Sequence, residues 1–153
     1  MVSSRLSSPN IQNFTTNKYQ IVERGISLKD EEFGISEKIR SYEFATPWLA
    51  LNQENYYKFY GLKNHEERDE FLRKTLTGNI ISMSKSFDYQ VPDRIKCDLS
   101  VQIRKDHLKN VSVMTFTGIF HTNFIIPDFL GIGKSVSRGF GAVRQLTRAD
   151  LVV

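Results

Sequence analysis

From Ile95 to Arg104 the chain alternates without a fault. Ile95, Cys97, Leu99, Val101 and Ile103 fall on one side, and Lys96, Asp98, Ser100, Gln102 and Arg104 on the other. A helix cannot sort these residues, because its period would scatter them around the axis; a strand with one buried face sorts them completely. The segment KDHLKN then supplies a turn, and Val111 to Ile126, VSVMTFTGIFHTNFII, is rich in β-branched and aromatic residues throughout, with Gly118 marking a bulge. A long antiparallel hairpin therefore fixes the middle of the fold.

The opposite period governs the stretch before it. Between His65 and Phe87 the apolar residues Leu72, Leu76, Ile80, Met83 and Phe87 recur at intervals of three and four. Glu66, Glu67, Asp69 and Glu70 crowd the first turns and Lys85 stands near the end, the arrangement that complements a helix dipole. Asn52 to Leu62 reads as a shorter helix, capped by Asn52 and ended by Gly61. Ser41 to Leu51, SYEFATPWLAL, suits a strand with Pro47 at a bulge or edge, preceded by a charged connector, KDEEFGISEK. Upstream, Lys18 to Leu28 alternates well enough for a further strand interrupted at Gly25. Downstream, Pro127 to Leu130 opens a short helical turn, and Phe140 to Leu146 alternates as a last strand. Strand, helices, strand, strand, helical turn, strand is the split βαβ order of a ferredoxin-like α+β fold. It has a four-stranded antiparallel sheet with helices on one face.

Residues 1–36 read as an N-terminal extension or the remnant of a preceding domain, and 37–153 as one cored domain. Residues 1–17 carry one charge, Arg5, and no apolar core of a signal peptide. No apolar run approaches the roughly 20 residues of a membrane span, so the expected setting is the cytoplasm, away from membranes. Cys97, the only cysteine, fits a packing position in its strand. Charge is uneven: residues 1–70 sum to −2 and residues 71–153 to +6. The C-terminal part is thus the candidate surface for a polyanion.

The sharper signal is GIGKSVSRGFGAV, Gly131 to Val143. A Walker loop ending at Gly133-Lys134-Ser135 requires glycine where Asp128 stands, and a dinucleotide fingerprint from Gly131 requires glycine where Val136 stands. What remains is two glycine pairs, Gly131/Gly133 and Gly139/Gly141, each holding a hydrophobic residue. Between them Lys134, Ser135, Ser137 and Arg138 are phosphate-positioning donors. Glycine there permits positive φ and close approach of backbone to a ligand. Asp93, Asp98 and Asp106 are not gathered at a ligand spacing, and no metal site is read; no cofactor is expected. Trp48, Tyr56, Tyr57, Phe59 and Tyr60 form an aromatic cluster, with Trp48 and Phe59 assigned to the core and Tyr56 and Tyr57 balanced between core and base stacking.

Gly-hydrophobic-Gly, a basic spacer and Gly-hydrophobic-Gly just before the final strand resembles the glycine-rich loop of the RAMP superfamily. YEFATPWLALNQENYYKFY from Tyr42 and LTGNIISMSK from Leu76 resemble the C-terminal domain of CRISPR-associated repeat-RNA endoribonucleases, and the likeness runs from about Phe33 to Leu146. It implies a RAMP domain that binds CRISPR repeat RNA through the loop, in a family whose cleavage needs no metal and whose 2′-hydroxyl attack leaves a 2′,3′-cyclic phosphate. Such enzymes carry two ferredoxin-like domains, with the catalytic histidine commonly in the first. The chain is therefore expected to be all or half of such an enzyme; the alternative is a non-catalytic RAMP module holding guide RNA, another effector subunit or a second copy of itself. Of its histidines, His65 lies in an acidic helix start and His107 in the hairpin turn between Lys105 and Lys109. His121, on the long strand with Thr117, Ile119 and Asn123, is the catalytic candidate, against a half-buried structural role.

Overall fold

The computed structural model describes residues 32–151. The Lys18–Leu28 strand and the reading of residues 1–17 lie outside them. The elements run β1 (Gly34–Phe44), α1 (Gln53–Gly61), α2 (His65–Ser86), β2 (Cys97–Leu108), β3 (Val111–Ile125), a 3-10 turn (Val136–Arg138), β4 (Val143–Gln145) and α3 (Arg148–Leu151). The sheet order is β2-β3-β1-β4, antiparallel throughout, so β1 and β3 are central and β2 and β4 are edges. This is the ferredoxin-like arrangement, with the second helix reduced to the 3-10 turn inside the 126–142 connection.

The helices form where their caps require. The Asn52 side chain accepts from the Asn55 amide at 2.7 Å, and the Asn64 side chain from the Glu67 amide at 2.9 Å, each satisfying a first-turn donor. Leu72, Leu76, Ile80 and Met83 of α2 are buried, as the spacing predicts, but Phe87 lies past the last turn and is 49% exposed. Across from α2 the sheet supplies Tyr42, Phe44, Phe116, Phe120 and Phe124, all buried. Tyr42 stacks on Phe120 with centroids 5.2 Å apart, and Phe59 of α1 meets Phe116 edge-on at 5.7 Å. The buried Tyr42 hydroxyl donates to the Phe124 carbonyl and accepts from the Ile126 amide, both at 2.9 Å, which ties the end of β3 to the core.

The hairpin closes more tightly than KDHLKN suggests. The β2–β3 ladder is continuous from Cys97 opposite Thr122 to Leu108 opposite Val111, and only Lys109 and Asn110 form the turn, both at positive φ. His107 is therefore a strand residue opposite Ser112. The hairpin's far half runs beyond the core, which leaves Ile103 53% exposed although it continues the apolar series. Gly118 is not a bulge: it pairs in register with Val101, and its positive φ brings it so close to the Ser100 carbonyl that a Cβ would collide there.

The irregularity sits instead in β1, between Ile35 and Arg40, where several β1 residues span the step from Phe124 to Thr122. β1 also starts earlier than Ser41, absorbing part of the charged connector, and ends at Phe44. The compact unit accordingly begins at Gly34. Pro127–Leu130 is a turn rather than a helix, with Phe129 in the left-handed region, and the last strand shrinks from Phe140–Leu146 to Val143–Gln145.

Candidate RNA interface

Thr46 to Leu51, which follows β1, pairs with β3 through the single bridge of Trp48 to Phe116, and its other polar groups hold the glycine-rich loop. The Gly141 amide donates to the Pro47 carbonyl at 2.7 Å and the Lys134 amide to the Leu49 carbonyl at 2.9 Å. The Ala142 amide donates to the Thr46 hydroxyl at 2.9 Å, and the Ile132 amide to the Gly141 carbonyl at 3.0 Å. Ile132 is buried, and Phe140 is half-buried. Both arms of the loop are thus latched to the core, and the residues between them are displayed.

Three of the four glycines answer to that latch rather than to an approaching ligand. At Gly133, φ is +96° and a Cβ would lie 2.7 Å from Cδ1 of Trp48; at Gly141, φ is +78° and a Cβ would strike the Ile132 carbonyl; at Gly131 it would strike the Val136 methyls. Only Gly139, with φ +97°, has open space around its Cα, and there the backbone conformation alone asks for glycine.

The displayed stretch has the makings of an anion site. Ser135 is left-handed (φ 56°, ψ 37°) and the 3-10 turn follows at once. A left-handed residue followed by right-handed ones turns successive amides toward one side. The amides of Ser135, Val136 and Ser137 meet no acceptor among the described residues, whereas those of Arg138 and Gly139 close the turn onto Ser135 and Val136. Lys134 and Arg138 flank these amides, exposed and without an ion pair among the described residues. Gly131, Gly133, Lys134, Ser135, Ser137, Arg138, Gly139 and Gly141 are therefore brought together in one loop.

His121 is not part of it. It lies mid-β3 between Ser41 of β1 and Asp98 of β2, and alternation with Phe120 and Thr122 turns it to the sheet face away from the helices. Its Nδ1 is 2.8 Å from the Ser41 hydroxyl, a contact that fixes the ring. Asp98 is engaged elsewhere, by Arg73 at 3.2 Å and the Leu99 amide at 2.9 Å. His65 and His107 are exposed on other elements. Burial pushes the Cys97 thiol up, which suits a packing role and not a nucleophile. Of the aromatic cluster, Trp48 and Phe59 are core, while Tyr57 and Tyr60 are 66% and 52% exposed and Tyr56 touches both rings. Among the described residues, no group of three or more His, Cys, Asp or Glu is placed to hold a metal ion, and no helix is long and apolar enough to cross a membrane.

A ferredoxin-like sheet with a latched glycine-rich loop before its last strand defines a RAMP-type domain. Residues 34–146 match the Cas6b C-terminal domain model, and the chain belongs to that family. It is 40% identical over 132 residues to an uncharacterized protein of Methanocaldococcus jannaschii, covering 86% of this chain and 89% of that one. Two crystal structures, one described as Cas6b and one as the CRISPR RNA processing endoribonuclease Cas6b, are 41% identical with a TM-score of 0.74. The match takes in 76% of this chain and 60% and 59% of theirs, so the chain spans about 60% of the length of those proteins. Csf5, a type IV Cas6 crRNA endonuclease, shares the fold at 12% identity and a TM-score of 0.56, over 76% of this chain and 48% of its own.

Proposed function

We propose that this chain works in CRISPR precursor-RNA processing and binds repeat RNA through Gly131–Gly141. The observation that carries this is the grouping of two cations, Lys134 and Arg138, with the amides of Ser135, Val136 and Ser137, none of which has an ion-pair partner or acceptor among the described residues. Amides and hydroxyls fix one phosphate while the cations add charge on either side. Processing of transcripts places the protein in the cytoplasm, with other CRISPR effector subunits or a second copy as further partners.

The reaction proposed is metal-independent. The 2′-hydroxyl oxygen bonds to its neighbouring phosphorus, the bond to the 5′-oxygen breaks, one group takes the 2′ proton and another protonates the leaving oxygen. The product is a 2′,3′-cyclic phosphate. A loop of this kind neutralises the charge that builds on the phosphate. Incubating the chain with repeat RNA in EDTA tests the reading: a cyclic-phosphate end that persists in wild type and falls at least a hundredfold in His121→Ala supports catalysis by this chain. Binding without cleavage supports the second reading, a non-catalytic RAMP module that holds guide RNA or a partner subunit, in keeping with His65, His107 and His121 lying on α2, β2 and β3 and not in the loop.

Replacing Lys134 and Arg138 together by alanine is expected to weaken binding by roughly 10- to 100-fold at low salt and to lower the salt slope by about 1.4, since each of the two phosphate contacts contributes about 0.7 for single strands. Folding should hold, because both side chains are exposed and make no ion pair among the described residues. Filter binding at several salt concentrations reads the slope; an unchanged slope with a native melt would remove the loop from the interface.

A further inference from the structure

Phe129 is out of place by every ordinary criterion of a core. It is 65% exposed, and its φ of 66° puts a bulky aromatic residue in the left-handed region. The strain is held by its surroundings. The Phe129 amide donates to the Val143 carbonyl at 2.5 Å, the Leu130 amide to the Pro127 carbonyl at 3.2 Å, and the Val143 amide to the Leu130 carbonyl at 3.2 Å. The Asp128 carboxylate accepts the Gln145 amide at 2.8 Å. Strand β4 therefore clamps the turn from both sides, and none of these bonds uses the phenyl ring. A glycine or asparagine would satisfy them with less strain.

The ring's place in the chain gives it a partner. Gly131, two residues on, starts the loop and lies against the methyls of Val136, itself 42% exposed, so the chain leads from the Phe129 turn directly to the stretch that carries Lys134, Arg138 and the amides of Ser135, Val136 and Ser137. Backbone strain maintained in order to present a side chain is a feature of ligand clamps. An exposed aromatic ring at the entry to a loop of phosphate donors suits a nucleobase of a strand whose phosphates lie on those donors.

We infer that Phe129 is a stacking platform for an unpaired base of the RNA strand held by the glycine-rich loop. This rests on the loop being the RNA site. Stacking is sequence-tolerant, since every base has a π-face, so Phe129 sets the position of the strand rather than its sequence.

The test uses the full chain, single-stranded oligoribonucleotides of mixed sequence and the same strands with 2-aminopurine at successive positions. Phe129→Asn is expected to weaken binding about tenfold with the salt slope unchanged, to raise Tm by about 3 °C as the left-handed strain is relieved, and to abolish the quenching of one 2-aminopurine position seen with wild type. Phe129→Tyr should retain both affinity and quenching. If Phe129→Asn lowers Tm and leaves affinity and quenching alone, the ring is structural and the inference fails. The same failure follows if Phe129→Asn binds normally while the Lys134/Arg138 double variant does not, an outcome that leaves the loop reading standing. If neither variant affects binding, both readings fall.

Discussion

Gly141→Ala is expected to be among the most damaging single changes to the loop, costing more than about 3 kcal/mol and lowering Tm by about 10 °C. The left-handed backbone alone contributes about 1–2 kcal/mol. The larger part is steric, because the new methyl would meet the Ile132 carbonyl, and Ile132 is pinned by its own amide, which donates to the Gly141 carbonyl. Relief requires the two arms to separate, which also breaks the Gly141 amide's bond to Pro47. Gly139→Ala provides the contrast. Its φ is similarly positive at +97°, but nothing stands near, so only the conformational cost of about 1 kcal/mol remains. Thermal melts of the two variants side by side check the difference. Equal losses would mean that conformation alone, and not the close approach to Ile132, accounts for the glycine at 141.

That contrast also marks how far the sequence is legible. Helix α2 and the β2–β3 hairpin are readable because their causes are local: a repeat of three and four with Glu66, Glu67, Asp69 and Glu70 at the start, and strict alternation from Ile95 to Arg104. In the sequence the glycines point to room for a ligand, yet three of them make room for Val136, Trp48 and the Ile132 carbonyl. Trp48 lies far upstream, and no local pattern announces that contact. β1 was hidden by Glu37, Lys38 and Arg40, charges that look like a connector. They are tolerated in a central strand because pairing slips between Ile35 and Arg40, leaving Glu37 and Lys38 exposed. Pro127–Leu130 carries a helix-opening proline, but its polar groups find better partners in Val143 and Gln145 across the sheet. Lys134, Ser135, Ser137 and Arg138 were legible as a group since chain proximity alone assembles them. Phe129 was not, because exposure and positive φ are tertiary outcomes.

Trp48 joins the core to the loop, and its replacement is expected to show that coupling. The indole is fully buried, stacked on Phe44 at 5.1 Å and tilted against Phe116 at 5.8 Å, and its Nε1 donates to the Asn79 side-chain oxygen of α2 at 2.9 Å. Its backbone exchanges two hydrogen bonds with Phe116, and Gly133 rests on its ring edge. Trp48→Ala removes the floor under the loop together with the largest buried side chain, at a cost of about 3–5 kcal/mol. Trp48→Phe keeps a ring between Phe44 and Phe116 and loses only the donor to Asn79, costing about 1–3 kcal/mol for the acceptor left unsatisfied. Urea melts should rank the variants in that order. RNA titrations well below each midpoint then separate floor from fold: Trp48→Phe should bind within about threefold of wild type, while folded Trp48→Ala should lose affinity as the Lys134 amide slips from Leu49. If folded Trp48→Ala binds as wild type does, the loop keeps its shape through the Pro47 and Leu49 carbonyls alone, and the indole's contact with Gly133 only fills space.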